Sequence, residues 1–264
     1  MADFTAKDVQ ALRRATGAGM LDCKRALEET GGDMEKAKQW LREQGLAGAA
    51  KRSDREATQG AVALAVSDRD AAIVELRCET DFVAKAESFV NLTDELAQLV
   101  AEKGPQAASE RGEDIDELKT TLKENISVGQ IARFEMGEDS VVGTYLHMQS
   151  GRGVNAVLVE MTGATDELAH DVAVHVAFAR PSYLRREDVP QEEVEAERAT
   201  VEKLSRNEGK PEAALPKIVD GRMNGWFRER CLLEQPYAKD EKRTIAELVG
   251  SAEIVRFAQV VVGG

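Results

Sequence analysis

One segment of the chain occurs twice. Val74-Glu75 through Thr80-Asp81 is matched without a gap by Val159-Glu160 through Thr165-Asp166, at a constant offset of 85 residues. Upstream, Gly60-Ala61-Val62-Ala63-Leu64 matches Gly143-Thr144-Tyr145-Leu146-His147 at an offset of 83. The difference falls in the intervening turns, Ser67-Asp68-Arg69-Asp70 against the Gly-containing Ser150-Gly151-Arg152-Gly153. Downstream, Ile131-Ala132-Arg133-Phe134 is echoed by Ile254-Val255-Arg256-Phe257. Each copy therefore reads as a β-hairpin, a helical stretch and a third strand. Three strands under a helical layer bury one apolar sheet face, so the fold class is α+β with two related small subdomains.

Outside the repeat, the first 45 or so residues read as three short helices. Thr5 caps the first, which carries Val9 and Leu12 on one face and is broken at Thr16-Gly17-Ala18-Gly19. The second runs from Met20 through Leu27, and Gly31-Gly32-Asp33 ends it and caps a third bearing Met34, Ala37, Trp40 and Leu41. So small a module has a marginal core and suits docking better than catalysis. Within the second copy, Gln191 to about Phe227 reads as an inserted antiparallel helical hairpin. Val194, Val201 and Leu204 mark one face, and Leu215, Ile218, Val219, Met223 and Trp226 the other. Asn207-Glu208-Gly209-Lys210-Pro211 supplies the stop and restart. Either a packed pair or a protruding coiled coil fits that pattern. The expected organisation is a docking module over 1–50, a linker over 51–59, and core subdomains over 60–140 and 141–264. The second of these holds the hairpin at about 190–228.

Composition removes several function classes. With 264 residues, 42% hydrophobic and 31% charged, the chain is an ordinary globular one with room for more than one core. A net charge of −13 argues against direct nucleic-acid binding and against an anionic membrane surface. Cys23, Cys78 and Cys231 lie far apart with no CxxC, as in reduced cytosolic proteins without a zinc site. Neither a signal pattern at Met1-Ala2-Asp3-Phe4 nor a membrane-length apolar run is present, so a cytoplasmic protein is expected.

No chemistry-bearing motif survives inspection. The chain lacks GxxxxGK[ST], and the formal G-x-G-x-x-A at Gly151–Ala156 lies between two strands and opens no helix. His170 and His175 are five apart and face different ways on a helix, while Cys78 on its apolar strand reads as a small buried hydrophobe. No catalytic residue, metal or cofactor is expected. The exception is the corner Thr80-Asp81-Phe82-Val83. Asp81 reads as the helix cap there, and Asp166 repeats it, but Phe82 corresponds to Glu167. The corner does not itself need an aromatic ring, which leaves Phe82 either in its own core or in a partner's.

Two longer stretches then carry a resemblance. Thr16-Gly17-Ala18-Gly19-Met20-Leu21-Asp22-Cys23-Lys24-Arg25-Ala26-Leu27 and Cys78-Glu79-Thr80-Asp81-Phe82-Val83-Ala84-Lys85 resemble the two signatures of the bacterial elongation factor Ts family. His147, Asp220-Gly221-Arg222-Met223 and the Ile254–Phe257 strand also fit, so the resemblance spans nearly the whole chain. It implies a non-enzymatic guanine nucleotide exchange factor. Such a protein binds elongation factor Tu in its GDP-bound and nucleotide-free states and promotes release of GDP and Mg2+, so that GTP can bind. The resemblance implies a wedge at Phe82 with Thr80, Asp81 and Val83, and docking through Leu12, Met20, Leu21 and Lys24, with Lys51 and His147 at further contact positions. It leaves a homodimer through the core or the hairpin open, and a helical adaptor or chaperone-like scaffold is the competing reading. The chain ends at Gly264, without the C-terminal helical module of some relatives, and Lys123 stands where relatives carry Gly, so the 122–125 loop receives no role.

Overall fold

The computed structural model describes residues 4–67 and 70–264. The tip of the first hairpin turn, Asp68-Arg69, and the opening Met1-Ala2-Asp3 lie outside the described residues. The architecture is α+β. The chain divides into two compact units, one of Met1–Arg133, Leu146–Asn155 and Val260–Gly264, the other of Phe134–Tyr145 and Ala156–Gln259.

In the first unit, α1 (Ala6–Thr16), α2 (Met20–Glu29) and α3 (Met34–Ala50) close around Val9, Leu12, Cys23, Ala26, Leu27, Ala37 and Leu41. The boundaries follow from capping chemistry. Thr5 donates its N–H and hydroxyl to the Asp8 carboxylate, both at 2.7 Å, and Gly17 takes the left-handed conformation (φ 65°) that ends α1. Asp33 accepts the Glu35 and Lys36 N–H groups at 3.1 Å and so starts α3.

A three-stranded sheet follows in the order β1 (Gln59–Val66), β2 (Asp70–Cys78), β3 (Ser127–Glu135), with β1 antiparallel to β2 from Gln59↔Cys78 to Val66↔Ala71. Between β2 and β3 come a single turn, α4 (Asp81–Ala84), then α5 (Glu87–Lys103) and α6 (Gly112–Leu122). Leu76, Phe89, Leu96, Val100 and Ile126 are fully buried among them. The middle strand also buries a carboxylate. Glu75 accepts from Arg77 Nε at 2.8 Å and from the Gln130 and Gly263 N–H groups at 3.0 and 3.3 Å, which satisfies the buried charge.

The second sheet repeats the order with β4 (Ser140–Gln149), β5 (Arg152–Thr162) and the last strand. The β4–β5 turn has positive φ at both Ser150 (53°) and Gly151 (82°), the tight hairpin geometry. Over this sheet lies α7 (Asp166–Ala179), so close to β4 that a Cβ at Gly143 would sit 2.0 Å from the Ala169 carbonyl oxygen. The inserted hairpin is α8 (Gln191–Asn207) and α9 (Leu215–Arg230), with Gly209 at φ 74° between them. Val201, Val219, Met223 and Phe227 form its buried seam, while Leu204 is half exposed. A two-stranded ribbon, β6 (Pro236–Tyr237) and β7 (Asp240–Thr244), and α10 (Ile245–Val249) lead into β8 (Glu253–Val261). Glu160 occupies the Glu75 position of the repeat, buried and held by Arg256 at 2.6 Å and the Gly137 N–H at 3.2 Å.

His175 is a packed core histidine. Its Nε2 donates to Gln235 Oε1 at 3.0 Å and its Nδ1 accepts the Ala238 N–H at 3.2 Å, the tautomer those partners require. Burial holds its pKa below the ordinary value, against the raising influence of Gln235. A folded pKa below the unfolded one makes the unfolded chain the better proton binder. This contribution to stability is therefore complete above an unfolded pKa of roughly 6.5 and lost as pH falls through the folded one. Urea unfolding across mildly acidic pH is expected to show that slope, and His175→Gln is expected to flatten it.

Candidate partner-binding surface

The corner after β2 is built from the strand end upward. Cys78 is fully buried, its Sγ donates to the Thr80 carbonyl at 3.2 Å, and burial pushes its thiol up to about 12, so it is an inert packing group. Thr80 is extended (φ −122°, ψ 153°) and its Oγ1 accepts the Val83 N–H at 3.4 Å. Thr80 is thus the cap, and Asp81 occupies the first helical position, contrary to the reading of Asp81 as cap. Thr165 does the same in the second copy, accepting the Leu168 N–H at 3.2 Å ahead of Asp166. Adjacent Thr and Asp are both good caps, and only the turn's geometry separates them.

Asp81 instead binds Lys85 at 2.5 Å, and that ammonium holds its carboxyl below the ordinary value. Val83 and Ala84 enter the core of the first sheet. Successive residues in a helical turn point about 100° apart, so anchoring Val83 and Ala84 inward directs Phe82 outward. Phe82 is 82% exposed. The guanidinium of Arg152, a residue only 7% exposed, donates to the Asp81 carbonyl at 3.4 Å and to Gln59 Oε1 at 3.5 Å. The tightest hold comes from Glu124. Its carboxylate accepts the Glu79 and Thr80 N–H groups at 2.9 and 3.0 Å and the Thr80 hydroxyl at 2.5 Å. Neither Glu124 nor Arg152 was legible as a site residue, because each meets the corner across 44 or more positions of sequence.

On α2, Leu21 is 81% exposed and Met20 is 43% exposed, with Lys24 beside them, 3.5 Å from Glu28. Lys51 follows α3, and His147 lies near the end of β4; both are exposed. Leu12 differs from the others. It is completely buried in the three-helix core and lines no exposed surface. Its spacing sets Leu12 beside Val9 on one face of α1, and both are buried; only the docking role that the resemblance implies for Leu12 is at odds with its place in the core.

Comparison with known proteins places the chain in a family. The family model described as "Elongation factor TS" matches residues 79–264, starting at the residue that opens the Phe82 corner. A protein named elongation factor Ts from Kineococcus radiotolerans is 46% identical over 96% of this chain and 96% of its own length. Namesakes from Clavibacter michiganensis subsp. michiganensis and Streptomyces griseus subsp. griseus are 46% and 44% identical, each over the full length of both chains. The chain belongs to the elongation factor Ts family. It is thus akin to translation elongation factors, proteins of protein biosynthesis. Both stretches that resemble the elongation factor Ts signatures lie in one compact unit, and each presents an exposed apolar side chain, Leu21 on α2 and Phe82 at the corner. Among the described residues, no group of three or more His, Cys, Asp or Glu is arranged to hold a metal ion. None of their helices is long and apolar enough to cross a membrane.

Proposed function

We propose that this chain is the guanine nucleotide exchange factor of elongation factor Tu. It binds the GDP-bound GTPase in the cytoplasm, promotes loss of GDP and Mg2+, and stays on the nucleotide-free form until GTP enters. It is a binding protein whose output is a change in its partner, without a chemical step of its own. The observation that carries this reading is Phe82, an aromatic ring presented to solvent from a turn whose neighbours are anchored. In this reading Phe82 enters the partner near its Mg2+ site, with Thr80, Asp81 and Val83 forming the support. Met20, Leu21 and Lys24 dock the three-helix module, and Lys51 and His147 extend the contact.

The energetics suit the task. Burying a Phe side chain is worth about 1.5–3 kcal/mol, and each tenfold loss of nucleotide affinity takes about 1.4 kcal/mol of coupling. One ring supplies one to two powers of ten, and the docking contacts supply the rest. Coupling is reciprocal, so Mg·GDP must weaken this protein's grip by the same factor that the protein weakens GDP's. Titrating Mg·GDP into the complex with elongation factor Tu is expected to dissociate it, as followed by anisotropy of a labelled chain. A complex indifferent to Mg·GDP would overturn the exchange reading in favour of a scaffold.

A further inference from the structure

We infer that Glu124 is a positioning residue for Phe82, holding the ring in its exposed pose before any partner arrives; this rests on the exchange-factor reading. A carboxylate offers acceptors only, and Glu124 directs them at three donors of one turn: two N–H groups between the end of β2 and α4, and the hydroxyl that caps α4. Bonds to an ionised acceptor are the strong ones. The loop is itself fixed. Asn125 donates its N–H to Glu79 Oε1 at 2.7 Å, and its Nδ2 to the Ser53 and Arg55 carbonyls at 3.1 and 2.7 Å. Glu79 and the loop thus bind each other reciprocally.

Lys123, left-handed at φ 60°, turns the chain out of α6 and reaches Asp22 of α2 at 3.0 Å. Consecutive residues therefore bridge the helix bearing Leu21 to the turn bearing Phe82. Lys123–Asp22 is an exposed ion pair and contributes little, so the hold on the corner rests on Glu124.

The repeat supplies an internal control. At the offset of 123 that relates Ile131-Arg133 to Ile254-Arg256, Glu124 corresponds to Glu247. Glu247 caps its own helix, accepting from the Thr244 N–H at 2.7 Å. The glutamate is turned onto a corner in the copy that carries Phe82, and onto a local helix end in the copy that carries Glu167. A ring that must enter a partner gains from being ordered beforehand, because ordering it during association subtracts from binding.

Two readouts test this. In the full-length protein alone, Glu124→Ala is expected to abolish hydrogen-exchange protection of the Glu79 and Thr80 amides, and Glu124→Gln, which keeps one acceptor oxygen, to restore part of it. With GDP-loaded elongation factor Tu, Glu124→Ala is expected to slow stimulated GDP release about tenfold, and to add nothing in a Phe82→Ala background. If the alanine variant fails to fold, Glu124→Gln serves for both readouts. An equal loss in both backgrounds, or unchanged amide protection, would overturn the positioning role. If the native chain does not speed GDP release at all, the exchange reading falls, and amide protection alone still decides whether Glu124 holds the corner.

Discussion

Phe82→Ala is expected to cut stimulated release of labelled GDP from elongation factor Tu by about 10- to 100-fold while leaving the melting temperature of the free protein unchanged. The two halves of that expectation come from the same geometry. The ring contributes almost no buried area to its own fold, so its removal leaves the core of Val83, Ala84 and Phe89 intact. Whatever apolar area it buries must be buried in a partner, where its truncation forfeits the roughly 1.5–3 kcal/mol that a buried Phe is worth. Stopped-flow measurement at saturating exchange factor separates a slower release from weaker binding. A drop in melting temperature together with activity would make Phe82 structural, and unchanged release would remove it from the mechanism. Phe82→Leu should lie between, since it keeps apolar bulk without the ring's reach.

The second large effect separates two leucines of the three-helix module. Leu12→Ala is expected to destabilise that module by about 2–5 kcal/mol, the range for emptying a packed core site. Among the described residues its buried core is Leu12 with Val9, Cys23, Ala26, Leu27, Ala37 and Leu41, three of them as small as Ala or Cys, with Phe4, Ala18, Met34 and Trp40 half-buried against it. Amide exchange of α1–α3 should become fast, and partner binding should weaken because the docking surface is no longer folded. Leu21→Ala should do the reverse, leaving α1–α3 protected and weakening binding directly through the lost contact. Protection unchanged in Leu12→Ala would show that the module tolerates its loss; protection lost in Leu21→Ala would make that residue structural.

The fold was legible because it is written twice. Strand periodicity with an ungapped match from Val74 to Asp81 specifies the hairpin, the helical layer and the third strand of each copy, and both sheets share one strand order. The duplication also exposed Phe82, since its counterpart Glu167 shows that the turn tolerates a polar residue there. Local chemistry was harder to resolve. Thr80 and Asp81 are interchangeable as caps on paper, and the docking role that the resemblance lends Leu12 runs against the face that its spacing makes it share with Val9. What the sequence could not disclose is the support from afar. Glu124 and Arg152 reach the corner from a loop and from the first residue of β5, and no local pattern marks a side chain whose partner is 44 or 71 positions away.

A ring held in water is available to any apolar surface, including that of a second copy. Leu21 and Phe82 together give this chain a standing tendency toward sticky collisions. Its charge of −13 opposes them, and at physiological salt that repulsion is screened beyond about 8 Å. Net charge and exposed ring thus pull in opposite directions, so salt, which screens the first and spares the second, is expected to raise the chain's tendency to self-associate.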